Sequence, residues 1–295
     1  MNRMHTSSFA ELPHLAPGQF YRRVRRHFLR RNSTYTLDDS PPCVFVLSTG
    51  RAGTQTLASI FQISKNAKAY HEPAPKLFGL SKLSYWYFND DVARKILAEA
   101  FLTARSELLR DSLQRGKIYV ETSPQTTFLA PVIAQSLPTA KFIHLVRDPR
   151  DVVRSGMRRG WYDGHRLDKT RISPLPESEQ YARWLQYSAF QKNLWLWNET
   201  NRWILNFFGS IPPNDKLLVH AEDIFMASSE VLTQIFDFVD SPPPPRKKVE
   251  RILRKRLNAQ QRGSFPKPEQ WEQHQITALR AMCGDTAAQL GYNIQ

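Results

Sequence analysis

Residues 50–56, GRAGTQT, combine an arginine, two glycines and two threonines between an apolar run and an amphipathic one. This order predicts a strand, a glycine turn and the first turn of a helix. Backbone N–H groups at such a turn bind anions. Arg51 adds a fixed positive charge, and Thr54 and Thr56 add hydroxyl groups. The stretch favours a phosphate or sulfate site, although Gly-x-x-Gly alone is more often an ordinary turn.

A second candidate anion site lies in the stretch 140–160, AKFIHLVRDPRDVVRSGMRRG. Its apolar start predicts a buried strand, Pro149 marks the beginning of a helix, and Arg147 stands at the carboxyl end of the strand. Ligands of open α/β sheets bind at that end of the strands. Arg147 and Ser155 could therefore hold a second phosphate group, whereas alone the segment would be an ion-paired helix cap. The two stretches together indicate a nucleotide with phosphates at both ends.

The pair of stretches resembles the 5′-phosphosulfate loop and the 3′-phosphate site of sulfotransferases that use 3′-phosphoadenosine 5′-phosphosulfate (PAPS). The resemblance covers roughly residues 43–292 and includes YVETSP, WNETNR and LVHAED. Many soluble members have lysine where this chain has Arg51, and arginine there is similar to the protein-tyrosine and carbohydrate sulfotransferases. The family implies a P-loop-like, three-layer α/β/α sandwich around a central parallel sheet.

The resemblance also implies which residues bind the donor. For its 5′-phosphosulfate, the implied residues are Arg51, Ala52, Gly53, Thr54, Gln55 and Thr56. Arg147 and Ser155 would bind the 3′-phosphate, with Arg262 and Gly263 in a late loop that closes over it. The product would be 3′-phosphoadenosine 5′-phosphate (PAP), and the acceptor a hydroxyl compound.

The chemistry of sulfuryl transfer fits the absence of the GK[ST] motif after Gly53. The transferred sulfuryl group carries less charge than a phosphoryl dianion, so we expect no metal. Arg51 would stabilise the leaving bridge oxygen in the way that cations stabilise phosphoryl transfer.

A hydroxyl acceptor needs a base within hydrogen-bond reach. The sequence YHEP places His71 and Glu72 at the end of a predicted strand, beside the glycine turn. Glutamate here is similar to the base of the arginine-type sulfotransferases, so Glu72 is the first candidate. His71 is the second, because imidazole is the base in many soluble members. Glu72 could instead only pair with a nearby arginine.

The acceptor site is less sharply indicated. Segments 74–90 and 160–180 are predicted loops of mixed basic and aromatic character. Ser123, Trp161 and Tyr162 are the residues expected to contact the acceptor. The basic character favours an anionic glycan or glycolipid, while tyrosyl and other small acceptors stay open.

Several other polar residues favour structural roles. His144 stands between apolar neighbours in a predicted strand and is expected to be a core histidine. His220 and Glu222 follow another strand and are expected to support the sheet or orient arginines, and Glu121 should end a strand near the site.

The remaining sequence supports one parallel α/β domain, because strand-like and helix-like segments alternate. Strands are predicted within 43–49, 67–73, 117–124, 140–146 and 215–225. Helices are predicted after residue 53, within 90–116, from Pro149 to Gly160, within 177–208 and 228–239, across the basic segment 246–256, and finally towards Gly291.

Composition limits the alternatives. The chain has 295 residues and a formal charge of +14, which favours acidic partners. Residues 1–40 are expected to be a basic, partly irregular leader and 41–295 a single domain; 21–31 could touch a membrane surface. No nucleic-acid motif accompanies the basic runs, so no specific nucleic-acid binding is expected. Two cysteines and no signal-like segment favour a reduced, cytoplasmic protein.

Two other functions compete with sulfuryl transfer. One is a P-loop nucleotide kinase, which would require the missing lysine after Gly53. The other is a basic nucleic-acid or membrane-surface protein on a catalytically silent P-loop scaffold. The missing lysine argues against the kinase, and the paired phosphate sites with the carboxylate of Glu72 argue against the binding protein.

Overall fold

The computed structural model describes residues 42–255 and 263–294. These residues belong to one compact unit, 41–295. The predicted leader 1–40, with its basic segment 21–31, and Arg262 lie outside the described residues, so the predictions made for them stay predictions.

A five-stranded, all-parallel sheet forms the centre of the fold, with strand order β2-β3-β1-β4-β5. The strands are β1 (Cys43–Leu47), β2 (Ala67–Tyr70), β3 (Ile118–Glu121), β4 (Ala140–Val146) and β5 (Lys216–His220). Each predicted strand is present. Because β1 lies between β3 and β4, the turns that follow these three strands open at the same edge of the sheet.

Helices connect the strands. They are α1 (Thr54–Gln62), α2 (Phe78–Trp86), α3 (Asp91–Gln114), α4 (Ala130–Ser136), α5 (Pro149–Met157), α6 (Tyr181–Trp184), α7 (Ala189–Gly209), α8 (Ala221–Phe225), α9 (Ser229–Phe238), α10 (Arg246–Arg254) and α11 (Gln273–Gln289). No helix within residues 42–255 or 263–294 is long and apolar enough to cross a membrane.

Alternate residues of β1 face the two helical layers. Val44 and Val46 pack in the cluster that contains α1 and α9 side chains. Phe45 points the other way, where its ring lies 5.8 Å from Phe101 and 6.0 Å from Phe142. Both faces of the sheet are therefore covered, as the continuous apolar strands require. The predicted three-layer α/β/α, P-loop-like class is confirmed.

Three segment predictions need correction. The strand predicted within 215–225 ends at His220, and α8 follows with two acidic residues in its first turn, where they favour a helix N-terminus. Segment 74–90 is not a loop throughout, because it contains α2. The stretch 177–208 contains two helices, the second starting at a capping box of Ser188 and Gln191.

Helix α2 was missed because its sequence has little apolar periodicity. Tertiary packing stabilises it instead: Ser81, Ser84 and Tyr85 are buried, and Ser84 Oγ donates to Phe128 O at 2.7 Å. Helix α4 was missed because it is a short apolar segment, a kind that periodicity alone does not assign.

His144 is a core residue, as predicted. It is fully buried in β4, and its Nε2 atom lies 2.8 Å from Asn201 Oδ1. Nδ1 has no hydrogen-bond partner among the described residues. Burial in these surroundings lowers the pKa of His144 to about 4.

This pKa makes stability depend on pH. The histidine pKa in an unfolded chain is about 6.5, so between these values the unfolded state binds more protons. We expect the unfolding free energy to fall by up to about 3 kcal/mol as the pH drops from about 6.5 to about 4. His144→Gln removes the titration and retains an amide donor, so its loss should be smaller. Urea titrations of both proteins across this range measure the difference, and equal pH slopes would contradict the assignment.

Candidate active site

The turn between β1 and α1 is held by residues that follow β3. Ser48 N donates to Thr127 Oγ1, and Thr127 Oγ1 donates to Ser48 O, both at 3.0 Å. Gly53 precedes α1 with φ of 85°, and a Cβ atom there would lie 2.9 Å from Phe225 Cζ. Glycine is therefore required at position 53 by both backbone conformation and space. The predicted anion site would lie at this turn and the N-terminus of α1.

The second predicted anion site contacts the first. Arg51 Nε donates to Ser155 Oγ at 2.9 Å, so a side chain of the first turn reaches α5. Arg147 Nη1 donates to Arg51 O at 3.2 Å. The structure therefore brings Arg51, Arg147 and Ser155 into one site.

Arg147 is oriented from several sides. Its Nη2 atom donates to Asp151 Oδ2 at 2.7 Å, and its backbone oxygen accepts from Trp197 Nε1 at 2.9 Å. Its guanidinium carbon lies 5.2 Å from the centre of the Phe225 ring. Nε is buried and has no hydrogen-bond partner among residues 42–255 and 263–294. This donor is therefore unsatisfied among the described residues.

The turn before α5 is as predicted. Asp148 caps the helix by accepting from Arg150 N at 2.8 Å. Its own backbone N–H donates to Glu222 Oε1 at 3.0 Å, and Glu222 Oε2 accepts from Tyr292 OH. His220 Nε2 lies 2.7 Å from Leu290 O. His220 and Glu222 thus join β5, the Arg147 turn and the C-terminal segment, which confirms their supporting role.

His71 and Glu72 both line the cavity beside Arg51. His71 Nδ1 lies 3.1 Å from Thr122 O, a carbonyl that only accepts, so Nδ1 carries the proton and Nε2 is left as an acceptor. Burial lowers the pKa of His71, so the ring is neutral at pH 7. Glu72 Oε2 lies 3.1 Å from Lys76 Nζ. The carboxylate therefore pairs with a lysine of its own segment, an ion pair that the sequence did not indicate.

The segment that carries His71 and Glu72 is fixed at both ends. Before it, Thr122 N donates to Tyr70 O at 2.9 Å. After it, Arg105 Nη1 donates to Pro75 O at 2.9 Å. Glu72 itself has φ of 47°, an uncommon conformation for a residue other than glycine.

Arg105 belongs to a buried ion pair. Its Nε and Nη2 atoms donate to the two carboxylate oxygens of Glu121 at 2.8 and 2.9 Å, and Tyr119 OH donates to the same carboxylate. The side chains of Arg105 and Glu121 are 1% and 0% exposed. Glu121 thus lies behind the cavity wall, where it orients Arg105.

A cavity of about 350 Å³ lies beside Arg51 and the segment that carries His71 and Glu72. Arg51, Thr54, His71, Glu72 and Trp161 line it. Within the part of the chain that the structure describes, its charged lining consists of one carboxylate, Glu72, and six cations: Arg51, Lys76, Lys82, Arg159, Arg166 and Arg171. Part of α2 and the segment after α5 form the wall, so both segments predicted to line the acceptor site contribute.

Two residues predicted to contact the acceptor do not line this cavity. Ser123 is buried behind Pro124 and Gln125, which do line it. Tyr162 is turned away, with its hydroxyl donating to Ile172 O at 2.8 Å and its ring against Trp184. Of the three predicted acceptor residues, Trp161 is the one in the lining.

The cations lie close enough to influence one another. Burial is the main cause that lowers the pKa of Arg51 to about 10, and the charges of Arg159 and Arg147 lower it further. The charge of Arg159 also lowers the pKa of Arg171. A bound anion would relieve the repulsion among these guanidinium groups.

The late loop reaches the same region. Arg158 Nε donates to Gly263 O at 3.0 Å. Gly263 has φ of 77°, and a Cβ there would lie 2.1 Å from Arg158 O, so glycine is required. Its neighbour Arg262 lies outside the described residues. Across residues 42–255 and 263–294 there is no group of three or more His, Cys, Asp or Glu side chains that could hold a metal ion.

Several residues of the site were not found from the sequence. They are Arg105, Thr127, Arg159, Arg171 and Phe225. Arg105 on its helix shows no local sequence pattern that distinguishes it from an exposed arginine. The same holds for Arg159 and Arg171 in the basic stretch after α5. Phe225 was read as the end of a strand, although its place after the acidic pair 222–223 was a signal for a helix.

The parallel sheet with a glycine-containing turn after its central strand is typical of a P-loop-like α/β protein. The model of the Sulfotransferase family matches residues 42–245, which is more than half of the chain. The chain therefore belongs to the sulfotransferase family, whose members are sulfuryl-transfer enzymes.

Individual relatives are distant. A Caenorhabditis elegans protein named "Putative protein-tyrosine sulfotransferase" is 22% identical over 157 residues, which are 53% of this chain and 53% of that protein. The match thus spans about half the length of this curated relative.

Solved structures share the fold. Sulfotransferase STF9 from Mycobacterium avium has a TM-score of 0.54 at 12% identity, covering 95% of this chain and 82% of that one. The sulfotransferase domain of the Synechococcus PCC 7002 olefin synthase has a TM-score of 0.51 at 15% identity, covering 88% and 99%.

The buried pair behind the cavity wall gives a stability prediction. Arg105→Met leaves Glu121 as an uncompensated buried charge and should lower the unfolding free energy by about 3–5 kcal/mol. The double variant Arg105→Met/Glu121→Leu removes both charges and should lose much less than the sum of the single losses. Urea unfolding of the four proteins of this cycle measures the coupling.

The exposed pair Arg246–Glu250 provides the matched control, since its side chains are 62% and 37% exposed. Its coupling should stay below about 1 kcal/mol. Additive losses at Arg105 and Glu121 would contradict the inferred ion pair.

Proposed function

We propose that this protein transfers a sulfuryl group from PAPS to a hydroxyl group of an acceptor. The observation that carries the proposal is the direct contact between the two predicted anion sites. Arg51 Nε lies 2.9 Å from Ser155 Oγ, and Arg147 Nη1 lies 3.2 Å from Arg51 O. One adenosine bisphosphate could therefore engage both sites through its two phosphate-bearing ends.

The chain's own groups fit this donor. Backbone N–H groups of the turn 50–53 and the N-terminus of α1 would bind the 5′-phosphosulfate. Ser155 and the unpartnered Nε of Arg147 would bind the 3′-phosphate. The exposed ring of Phe225 lies beside Arg147 and gives an apolar surface near both sites. The late loop at Gly263 contacts Arg158, near the same region.

Acceptor activation is assigned to Glu72. Its carboxylate would accept the hydroxyl proton while the acceptor oxygen forms a bond to sulfur. The bond from sulfur to the phosphate oxygen of the donor breaks, and PAP leaves. Arg51 would stabilise the charge on the departing oxygen. The position of Glu72 in the cavity beside Arg51 supports this role.

His71 is the alternative base. Its Nδ1–H faces Thr122 O, which leaves the Nε2 lone pair available. The ring is neutral at pH 7, because burial lowers its pKa. Only one of the two residues needs to accept the proton.

For the acceptor we propose a sugar hydroxyl of a glycan or glycolipid. The cavity wall is rich in side chains that exchange hydrogen bonds with hydroxyl groups, namely Ser48, Thr49, Ser81, Gln125, Thr170 and Thr200. A tyrosyl acceptor, which the name of the worm relative suggests for that protein, would use the apolar part of the lining instead.

Donor binding is tested by Arg147→Ala. Losing a charge-assisted contact to phosphate should weaken PAP binding about 10- to 100-fold. Isothermal titration calorimetry measures the Kd without added magnesium. The control is Arg110→Ala, which removes an exposed arginine of α3 and should leave the Kd unchanged. An unchanged Kd in Arg147→Ala would overturn the assignment of the 3′-phosphate site.

A thermal-shift panel on the wild-type protein separates this function from the alternatives. Stabilisation by PAP without magnesium supports the sulfotransferase reaction. Stabilisation only by ATP with magnesium, or only by DNA or lipid vesicles, would contradict it.

The base is tested by Glu72→Gln and His71→Asn. If Glu72 accepts the proton, Glu72→Gln should lower kcat about 10²- to 10⁴-fold with little change in PAP affinity. His71→Asn should then retain most of kcat. Release of PAP in the presence of an acceptor measures turnover. Full turnover by Glu72→Gln would remove Glu72 as the base, and loss of turnover in His71→Asn alone would assign His71.

A further inference from the structure

The cavity wall carries a cation, Arg171, that the proposed donor site does not require. Arg171 lines the same cavity as Arg51 and Arg159. Its guanidinium carbon lies 4.0 Å from the centre of the Trp161 ring, and its side chain is 15% exposed. An arginine that stacks on an aromatic ring has a fixed plane from which to bind an anion.

Asp168 holds this group in place. Its Oδ1 atom accepts from Arg171 Nε at 3.0 Å and from Tyr162 N at 3.0 Å. Its Oδ2 atom accepts from His165 N at 2.8 Å. One carboxylate thus organises the segment 162–171 and orients the guanidinium, so the site is formed before any ligand binds.

His165 adds a donor at the same place. Its Nδ1 atom accepts from Leu167 N at 3.2 Å, which places the ring proton on Nε2. Burial and the charge of Arg171 lower the pKa of His165, so the ring is neutral at pH 7. A neutral ring with a protonated Nε2 donates a hydrogen bond.

Among the residues that the structure describes, the cavity lining has more cations than carboxylates. This described lining has six cations and the single carboxylate of Glu72. Asp168 offsets part of the charge of Arg171, yet the pKa of Arg171 is still lowered, chiefly by burial and also by Arg159. PAPS would neutralise Arg51 and Arg147 at the donor end. Lys82, Arg166 and Arg171 belong to the acceptor wall and need another anion.

We propose that the acceptor is an acidic saccharide whose carboxylate or sulfate ester binds Arg171 while its hydroxyl group meets the catalytic base. This inference rests on the proposed function and adds the charge of the acceptor and the residue that selects it. The sugar hydroxyls suit the polar lining of the cavity, and the acidic group suits its cations.

Two probes that differ only in a carboxylate test this proposal. Methyl β-D-glucuronide and methyl β-D-glucoside are titrated into PAP-saturated protein, and ligand-detected NMR gives both affinities. We expect the wild-type protein to bind the glucuronide at least tenfold more tightly. Arg171→Gln should remove that preference and leave glucoside binding unchanged. Equal affinities for both sugars in the wild-type protein, including equally undetectable binding, would overturn the proposal.

Two further variants separate charge from folding. Arg171→Lys keeps the positive charge without the planar donor pair, so it should retain part of the preference. Arg110→Gln on the exposed face of α3 should retain all of it. If Arg171→Gln unfolds, the Arg171→Lys protein decides the matter, and a preference equal to that of the wild-type protein would contradict recognition by the guanidinium plane.

The same samples distinguish failure of this inference from failure of the proposed function. PAP affinity is measured first, and a protein that does not bind PAP refutes the donor assignment. A protein that binds PAP but shows no preference for the glucuronide refutes only the acidic acceptor. An acidic tyrosyl peptide that binds more tightly than the glucuronide, with the same dependence on Arg171, would overturn the assignment to a saccharide.

Discussion

The active-site region depends on the contact between the turns that follow two neighbouring strands. Because β1 and β4 are parallel and adjacent, both turns open at the same edge of the sheet. Arg51 then reaches Ser155, and Arg147 reaches the backbone of Arg51. Two predicted anion sites that lie far apart in the sequence thus lie beside each other. The family match shows that this chain belongs to the sulfotransferase family, and under the proposed function the contact would let one ligand reach both sites.

This arrangement brings cations close enough together to repel one another. Partial burial of Arg51 and the charges of Arg159 and Arg147 lower its pKa to about 10. Glu72 is the one carboxylate among the described residues that line the cavity. Asp151, Asp168 and Glu222 hold the arginine-bearing turns in place without filling the cavity.

Residues inside the fold fix the segment that carries His71 and Glu72. Thr122 fixes its start and Arg105 its end, while Glu121 fixes Arg105 from the end of β3. The buried Arg105–Glu121 pair therefore connects strand β3 to the segment that carries Glu72. Such a pair contributes little more to stability than apolar packing would, but removal of one partner lowers the free energy of unfolding strongly. Its structural consequence is a defined orientation for a segment that would otherwise be an exposed loop.

Local sequence determined the strands, most of the helices, the glycine turn at residues 50–53 and the cap of α5 at Asp148, because these features depend on neighbours within a few positions. It also indicated Arg147, His71 and Glu72 as site candidates, since each follows a predicted strand. Tertiary structure alone decided that Tyr162 faces Trp184, that Arg105 reaches Pro75 and that Arg171 stacks on Trp161. Those outcomes depend on packing between segments distant in sequence or on the course of an irregular loop, and neither leaves a periodic pattern in the chain.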